Sequence, residues 1–213
     1  PLAWQHKSHM SKLTAWGVEG IGEIIPGMQL GDIIVEACSD EPNGPLLDND
    51  VLVVTQKIVS KAEGRLVEID PDDPLSHKVL VEEEAVRIVR RRGDLIITET
   101  RHGFVCANSG IDLSNVQRGQ AALLPIDSDR SARRIRDIVK AKLGVNVGVI
   151  VSDTFGRPWR KGVTDVAIGV AGIAGVLDLR GTPDALGRGM QVTEIAVADE
   201  LACAAELVMG KSN

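Results

Sequence analysis

The chain has no tyrosine, and its 213 residues include only two phenylalanines and three tryptophans. A folded core must therefore be packed mainly with aliphatic side chains. Cysteine is also scarce: Cys38, Cys106 and Cys203 are widely separated and show neither metal-ligand spacing nor a disulfide framework. Such cysteine usage is typical of a protein kept in a reducing cytoplasm.

The sequence also lacks long apolar runs and any excess of basic residues. No run approaches the roughly 20 apolar residues that a membrane-spanning helix needs, and no secretory signal peptide is recognisable. The formal net charge is -6, whereas general nucleic-acid binders and proteins of acidic membrane surfaces are more often basic. We therefore predict a cytoplasmic protein with neither a nucleic-acid nor a membrane partner.

No low-complexity linker or internal repeat divides the chain, and its length suits one large domain or two small intertwined ones. Residues 1–9 are interpreted as a cloning remnant, because Met10 has the character of a native start. Residues 10–213 are then expected to form one folded domain.

Hydrophobic periodicity predicts alternating strands and helices without a regular βαβ repeat, which favours an α+β fold with mixed sheets. Val79, Val86 and Val89 mark one face of a predicted helix over 76–91, and Ser131 is predicted to cap another that ends at Gly144. The predicted strands cover 50–54, 95–98 and 145–152, and the predicted helices cover 76–91, 131–143 and 193–210.

The strongest candidate site follows the apolar segment Val149–Val151, where the sequence continues Ser-Asp-Thr-Phe-Gly-Arg. A carboxylate at the end of a strand is held rigidly, and Asp153 with the oxygen of Thr154 suits a hard cation such as magnesium. Arg157 and Arg160 can neutralise phosphate oxygens, so we assign them a catalytic role. The alternative is an Asp turn followed by a solvated basic loop.

A second candidate site is the polar loop over 107–115, which contains Asp112 and Asn115. Such loops supply oxygen ligands to metals and hydrogen bonds to ribose or phosphate. Together with Asp153, Asp112 can complete a carboxylate pair that binds a metal and orients a triphosphate. Taken by itself, the loop is more typical of an Asx turn than of a binding site.

A third candidate site begins with Gln56 and Lys57, directly after the strand over 50–54. Lys57, Lys61 and Arg65 are spaced four residues apart and would share one face of a helix, as in a cradle for phosphates. The alternative is a solvated basic face.

Other sequence features do not indicate a site. His77 and His102 have no partner with metal or nucleophile spacing and are interpreted as surface residues. Ser152 and Cys106 lack the context of a nucleophile. The Gly-Lys-Ser sequence near the C-terminus is not a P-loop, because Ala205 stands where that motif needs glycine.

Four motifs in this order and spacing resemble the GTP-dependent gamma-glutamyl ligase family of coenzyme F-420 biosynthesis. They are Lys-Ala-Glu-Gly-Arg at 61–65, Asn-Ser-Gly-Ile-Asp at 108–112 with Ser114-Asn115, Asp-Thr-Phe-Gly-Arg at 153–157 and Val-Ala-Asp-Glu at 197–200. The resemblance extends from Val18 to Gly210, and the actinobacterial version of the family is the N-terminal half of a two-domain protein.

The resemblance implies a cytoplasmic enzyme that joins L-glutamate to a deazaflavin coenzyme precursor and then adds a gamma-linked glutamate. GTP would phosphorylate the precursor's carboxylate to an acyl phosphate, which the amine of glutamate attacks. It also implies two Mg²⁺ or Mn²⁺ ions per subunit, with K⁺ as a further candidate, and a homodimer of two intertwined parts.

The resemblance also assigns site residues. Asp112 and Asp153 would be metal ligands, and Thr154 would be a ligand of a second metal. The residues assigned to the nucleotide are Ile21, Gly22, Glu23, Ile24, Gln56, Lys57, Lys61, Asn115, Met209 and Gly210.

The chain departs from the family pattern at Gly22, where members often have proline, and at Lys211, where some carry an acid. The family continues beyond the last residue of this chain through a nucleotide-contacting loop, so we expect a C-terminal truncation. Two other functions stay open: a non-catalytic nucleotide-binding or dimerisation module of a larger protein, and a two-metal phosphohydrolase.

Overall fold

A computed structural model of the chain describes residues 12–39 and 44–211. The interpretation of residues 1–9 as a cloning remnant therefore lies outside the described residues. Within the described residues, no helix is both long enough and apolar enough to cross a membrane.

The described residues form five α-helices and ten β-strands, and the predicted α+β class is confirmed. The helices are α1 (Leu30–Ala37), α2 (Gln56–Ala62), α3 (Lys78–Glu84), α4 (Ser128–Leu143) and α5 (Val197–Met209). The strands are β1 (Val51–Thr55), β2 (Leu66–Glu68), β3 (Ala85–Arg92), β4 (Leu95–Thr100), β5 (Val105–Ala107), β6 (Gln120–Ala122), β7 (Gly148–Gly156), β8 (Val163–Ala171), β9 (Leu177–Asp178) and β10 (Glu194–Ile195).

The central sheet has the strand order β1-β7-β8 and is mixed. β1 runs parallel to β7, and the pairing ends where Thr55 meets Ser152. β7 and β8 are antiparallel, with a register shift after Val151 that pairs Asp153 with Val166 and Thr154 with Asp165. The ends of β1 and β7 that follow their buried segments therefore lie side by side.

Aliphatic side chains fill both faces of this sheet, as the near absence of aromatic residues requires. On one face, Val149 and Val151 pack with Ile135 and Val139 of α4 in a large buried cluster. On the other face, Ile150 packs against alanines of α5 in a smaller cluster. The side chains of successive residues in β7 point to opposite faces of the sheet, as the two-residue period of a strand requires.

A second sheet has the order β3-β4-β5 and corrects one prediction. The helix predicted over 76–91 ends at Glu84, and the chain continues from Ala85 as a strand paired with β4. Val86 and Val89 are exposed on that strand instead of facing a core with Val79, which is itself exposed. The β-branched residues in this segment favour the extended conformation once a partner strand is present.

Other predicted boundaries shift by a few residues. The predicted strand over 50–54 is confirmed as β1, and the one over 95–98 extends to Thr100 as β4. The helix cap predicted at Ser131 is wrong, because α4 begins at Ser128 and the carboxylate of Asp127 accepts the N–H of Arg130 at 2.8 Å. Gly144 ends α4 with a left-handed φ of 75°, as predicted.

The helix predicted from Thr193 begins only at Val197, and it ends at Met209 next to Gly210. The strand predicted to end at Ser152 runs on to Gly156, so Asp153 and Thr154 lie on β7 and not in a loop after it. This extension places Thr154 opposite Asp165 of β8, with which its hydroxyl forms a hydrogen bond of 2.8 Å.

The prediction that both histidines lie at the surface is wrong for His77, which is buried. His102 is partly buried, and its Nε2 lies 2.8 Å from the carbonyl oxygen of Pro125. Both side chains contribute to packing, and neither lines the cavity described next.

Candidate active site

The polar cavity of interest has a volume of about 860 Å³ and opens where β1 and β7 end. It is walled by α2, by the loop from Cys106 to Asn115, by the β7–β8 hairpin and by the end of α5 with Lys211. Open α/β sheets commonly bind ligands in a crevice at the carboxyl ends of their parallel strands. Three of the predicted candidate sites, distant in sequence, therefore meet in one cavity.

A further cavity, of about 790 Å³, lies between the segment 12–21, β1 and α5. Its lining is mainly aliphatic, with Val51, Val53, Leu201 and Val208 among its members. The clustered carboxylates and lysines gather in the polar cavity, which is therefore the better candidate for chemistry.

Lys57, in the first turn of α2, connects that helix to the polar loop. Its Nζ lies 2.8 Å from the Oδ2 of Asp112 and donates a hydrogen bond to the Oγ of Ser114 at 2.8 Å. The Asp112 side chain also accepts the backbone N–H of Ser114 at 2.7 Å, which forms the Asx turn anticipated for this loop. The Asx turn leaves Asp112 in the wall of the cavity, so it is compatible with the predicted functional role.

Asp112 is held ionised by these contacts. Its partial burial acts to raise the pKa, but the hydrogen bonds from Lys57 and Ser114 outweigh burial and lower the pKa below its usual value. The backbone of Asp112 pairs with Ala122 in both directions, at 3.0 and 2.8 Å, so its position is fixed. A carboxylate that is fixed in position and ionised is well suited to bind a cation.

The loop before Asp112 has an unusual backbone. Asn108, Ser109 and Gly110 have consecutive positive φ values of 51°, 55° and 70°. Buried Ser109 stabilises this conformation: its hydroxyl donates to the carbonyl of Val81 at 2.7 Å, and its N–H donates to Thr98 at 3.0 Å. The strained turn is therefore anchored to α3 and β4.

We expect Gly110→Ala to destabilise this loop. A methyl group at Gly110 would lie 2.9 Å from Leu124, and φ is positive there, so overpacking of about 1–3 kcal/mol adds to a backbone cost of about 1–2 kcal/mol. The matched control is Gly93→Ala, where φ is also positive but nothing lies within 4 Å. Urea unfolding that gave equal losses for the two variants would contradict the packing argument.

Asp153 faces the same cavity from β7. Burial raises the pKa of its carboxyl to about 7, and the negative charges of Asp112 and Asp165 raise it further, against the smaller opposing effects of the Thr154 N–H and the charge of Lys211. Within the described residues no ion pair joins Asp153 to a lysine or arginine. A bound cation would therefore offset the negative charge of Asp153, which no ion pair among these residues compensates.

Asp165 is a site residue that the sequence reasoning missed. It is buried on β8, and its oxygens accept hydrogen bonds from Ser152 at 3.1 Å, Thr154 at 2.8 Å and Lys211 at 2.6 Å. The available signal was an aspartate within the otherwise apolar run Val163–Ala171, because a buried charge is rare unless it is paired. Lys211 appeared in the sequence only as a departure from the family pattern.

Gln56 and Lys61 complete the wall formed by α2. Buried Gln56 donates to the carbonyl of Leu123 at 3.0 Å, which fixes the start of α2 against the chain after β6. Lys61 forms an ion pair with Glu23 at 2.5 Å, so the N-terminal turn is joined to the cavity. Arg65 lies beyond α2 and pairs with Glu84 instead of sharing the phosphate-facing surface.

The structure brings most of the assigned residues together but not all of them. The cavity is lined by Glu23, Gln56, Lys57, Lys61, Asp112, Asn115, Asp153, Thr154, Met209 and Gly210. Ile24 is buried in the core, Ile21 packs against it, and Gly22 is exposed between them. Arg157 and Arg160 are exposed and do not line the cavity, and Arg157 donates to the carbonyl of Lys161 at 2.5 Å.

The donor set of the cavity fits a divalent cation of the magnesium type. Asp112 and Asp153 present carboxylates, and Asn115 lies nearby in the same wall. Among the described residues no group of three or more acidic, histidine or cysteine side chains is arranged to hold a metal alone. Mg²⁺ is usually bound by one or two carboxylates together with substrate phosphates, so this arrangement is compatible with it.

Comparison with known proteins gives consistent results. The profile of the family described as F420-0:Gamma-glutamyl ligase matches residues 20–213. The coenzyme F420:L-glutamate ligase of Methanothermobacter thermautotrophicus is 42% identical over 211 aligned residues, covering 92% of this chain and 83% of that protein. The enzymes of the same description from Methanopyrus kandleri and Methanocaldococcus jannaschii are 43% and 41% identical, covering 90% and 79% of this chain and 79% and 73% of those proteins.

Proposed function

Because the chain belongs to the F420-0:gamma-glutamyl ligase family, we propose that it joins L-glutamate to the coenzyme F420 precursor at the expense of GTP. The observation that carries the proposal is the polar cavity, where lysines and carboxylates from separate sequence motifs line one volume. A carboxylate becomes an acyl donor only after activation. An acyl phosphate formed from GTP is the activated species that the amine of glutamate attacks.

The cationic side chains of α2 receive the triphosphate. Lys57 and Lys61 lie one helical turn apart and both line the cavity. Each forms an ion pair, Lys57 with Asp112 and Lys61 with Glu23. Phosphate oxygens can compete for the same ammonium groups, and the ion pairs hold both lysines at the wall of the cavity.

The polar loop and the turn around Gly22 hold the guanosine portion, with Asn115 as the side chain that contacts it. Glu23 reaches the cavity from that turn, whereas Ile21 and Ile24 anchor it in the core. Met209 and Gly210 line the opposite wall. These residues orient the nucleotide, and they leave the carboxylates free to face its phosphates.

Asp153 and Asp112 are the residues that hold a divalent cation, Mg²⁺ or Mn²⁺. When bound, the ion neutralises charge that develops on the transferred phosphoryl group. Thr154 contributes through its hydrogen bond to Asp165, which holds the end of β7 against β8. Arg157 and Arg160 stay predicted catalytic residues, on an exposed loop that can reach the deazaflavin substrate. We place the enzyme in the cytoplasm as a homodimer.

We expect cation affinity to depend on pH through Asp153. The pKa of its carboxyl is raised to about 7, and the ion competes with the proton, so Mn²⁺ affinity should fall about tenfold per pH unit below pH 7 and level off above it. Asp112 keeps a lowered pKa and stays ionised across that range. Calorimetric titration of Mn²⁺ from about pH 5.5 to pH 8 tests this, and a flat profile would exclude Asp153 as a ligand.

Calorimetric titration of GTP, with and without Mn²⁺ and with ATP as the competitor, tests the nucleotide assignment. The ligase proposal predicts metal-dependent binding with a preference for GTP. Equal binding of ATP and GTP would remove the assignment of the loop and the Gly22 turn to guanosine. Binding without any turnover would favour a non-catalytic module, and nucleotide hydrolysis without glutamate would favour a two-metal phosphohydrolase.

A further inference from the structure

Lys211 lies two residues beyond the end of α5, and its side chain reaches the β7–β8 hairpin. Its Nζ lies 2.6 Å from the Oγ1 of Thr154 and 2.6 Å from the Oδ1 of Asp165. The Oε1 of Glu206, on α5, is 3.9 Å away. The ammonium group therefore sits among three oxygen-bearing side chains from separate elements.

Asp165 needs this positive charge because its carboxylate is almost entirely removed from water. The side chain is 2% exposed, and a buried charge is costly unless it is paired and hydrogen-bonded. Ser152 and Thr154 donate hydroxyl hydrogen bonds to it, and Lys211 supplies the opposite charge. Together these three donors compensate the buried carboxylate.

The oxygen atoms of Thr154 and Asp165 are also the kind of ligands that a hard cation would bind. A carboxylate and a hydroxyl at the end of a strand, beside a triphosphate site, suit Mg²⁺ or Mn²⁺. The hydroxyl of Thr154 already donates to Asp165 and accepts from Lys211. A divalent ion at these atoms would have to displace the ammonium or approach it against electrostatic repulsion.

The situation at Asp153 is different. It lines the same cavity. Among the described residues no lysine or arginine lies within ion-pair distance of it, and Lys211 acts on its pKa only through a weaker charge effect than burial. Asp112 is paired with Lys57, a residue whose ammonium can move to phosphate oxygens. The cavity thus has one carboxylate that is neutralised internally by Lys211 and another that is left for a metal.

We infer that Lys211 is a built-in cation that replaces a second metal ion at Thr154 and Asp165, so that the site takes one divalent ion, at Asp153 and Asp112. This rests on the proposed function. Lys211 acts as a positioning residue: it fixes Thr154 and Asp165 and supplies charge to the phosphate side of the cavity without contacting a reacting atom.

The test is a count of bound Mn²⁺ ions per chain by calorimetry and by electron paramagnetic resonance of the free ion. The full chain is expected to bind one ion. Lys211→Met keeps the length of the side chain but removes its charge, and it is expected to bind two. Lys211→Arg keeps the charge and is expected to bind one, which a merely structural role of the side chain would not predict.

A double variant locates the additional ion. Asp165→Asn combined with Lys211→Met removes both charges of the buried pair, so the count should return to one. Mn²⁺ should also raise the Tm of Lys211→Met more than that of the unchanged chain, because the ion restores compensation to Asp165. The double variant should show no such excess.

Two ions on the unchanged chain, or one on a folded Lys211→Met, would overturn the inference. If Lys211→Met fails to fold, the count on the unchanged chain still decides, because the inference requires one ion there. Two ions with GTP-dependent glutamate ligation intact would refute the inference alone. Absence of any bound ion on the unchanged chain would refute the metal assignment of the proposed function as well.

Discussion

Asp153→Asn is expected to lower metal-dependent turnover by about 10³-fold, because a carboxylate that binds a divalent ion supports several kcal/mol of charge stabilisation. Asparagine preserves the shape of the side chain but has no charge to hold the ion. The loss should be in kcat, with the affinity for L-glutamate nearly unchanged. Steady-state kinetics at several Mn²⁺ concentrations measures it.

The same variant should fold at least as well as the unchanged chain at pH 8. The pKa of Asp153 in the folded chain, about 7, lies above that of an unfolded aspartate, so ionisation of this carboxyl weakens folding as pH rises from about 4 to about 7. Asparagine removes that penalty. Asp94→Asn, an exposed position in the β3–β4 turn, is the matched control, and turnover by Asp153→Asn at the rate of this control would remove Asp153 from the site.

Lys57→Met is expected to weaken GTP binding about 10- to 100-fold, since hydrogen bonds to charged groups contribute about 1.5–3 kcal/mol. The variant removes the ammonium that contacts both Asp112 and Ser114. It therefore removes a phosphate contact and also frees the polar loop. The Kd for GTP from calorimetry should rise more than kcat falls.

Lys142→Met provides the control for a lost ion pair outside the cavity. Lys142 is partly exposed on α4, where it pairs with Asp32 at 2.8 Å, and such pairs contribute little to stability. Its GTP affinity should equal that of the unchanged chain. Lys57→Arg should recover part of the affinity because it keeps the charge. Equal affinities for Lys57→Met and Lys142→Met would show that Lys57 does not bind phosphate.

Local position in the sequence was sufficient to select several residues that line the polar cavity. Asp153 follows one apolar run and Lys57 follows another, although β7 continues past Asp153 to Gly156 instead of ending before it. The parallel pairing of β1 with β7 then brings the two runs together. The Asx turn at Asp112 could likewise be predicted from the polar composition of its loop.

Asp165 could not be placed in the same way, because its role depends on the register of an antiparallel pair. Only the irregularity after Val151 sets Thr154 opposite Asp165, and a shift of one residue would turn either side chain to the other face. The contact of Lys211 with both depends further on where α5 ends. Such long-range pairings are not encoded in any local pattern.

The segment 85–92 shows how tertiary pairing overrides a local pattern. Its valines recur at a spacing that also fits a helix. The helix α3 lies before this segment and ends with the acidic residues 82–84. β3 becomes extended because β4 follows after a tight turn and pairs with it along its length. Propensity is a weak guide when a neighbouring strand supplies backbone hydrogen bonds.

The most direct test of the central claim is the joint measurement of GDP and glutamylated product from the purified chain with Mn²⁺. The reaction contains GTP, L-glutamate and the glutamate-free deazaflavin precursor, and each is omitted in turn. The proposed ligase activity predicts sustained GDP release only in the complete mixture, with one GDP formed for each glutamate joined. GDP release that continues without glutamate, or product that forms without GTP, would contradict the account.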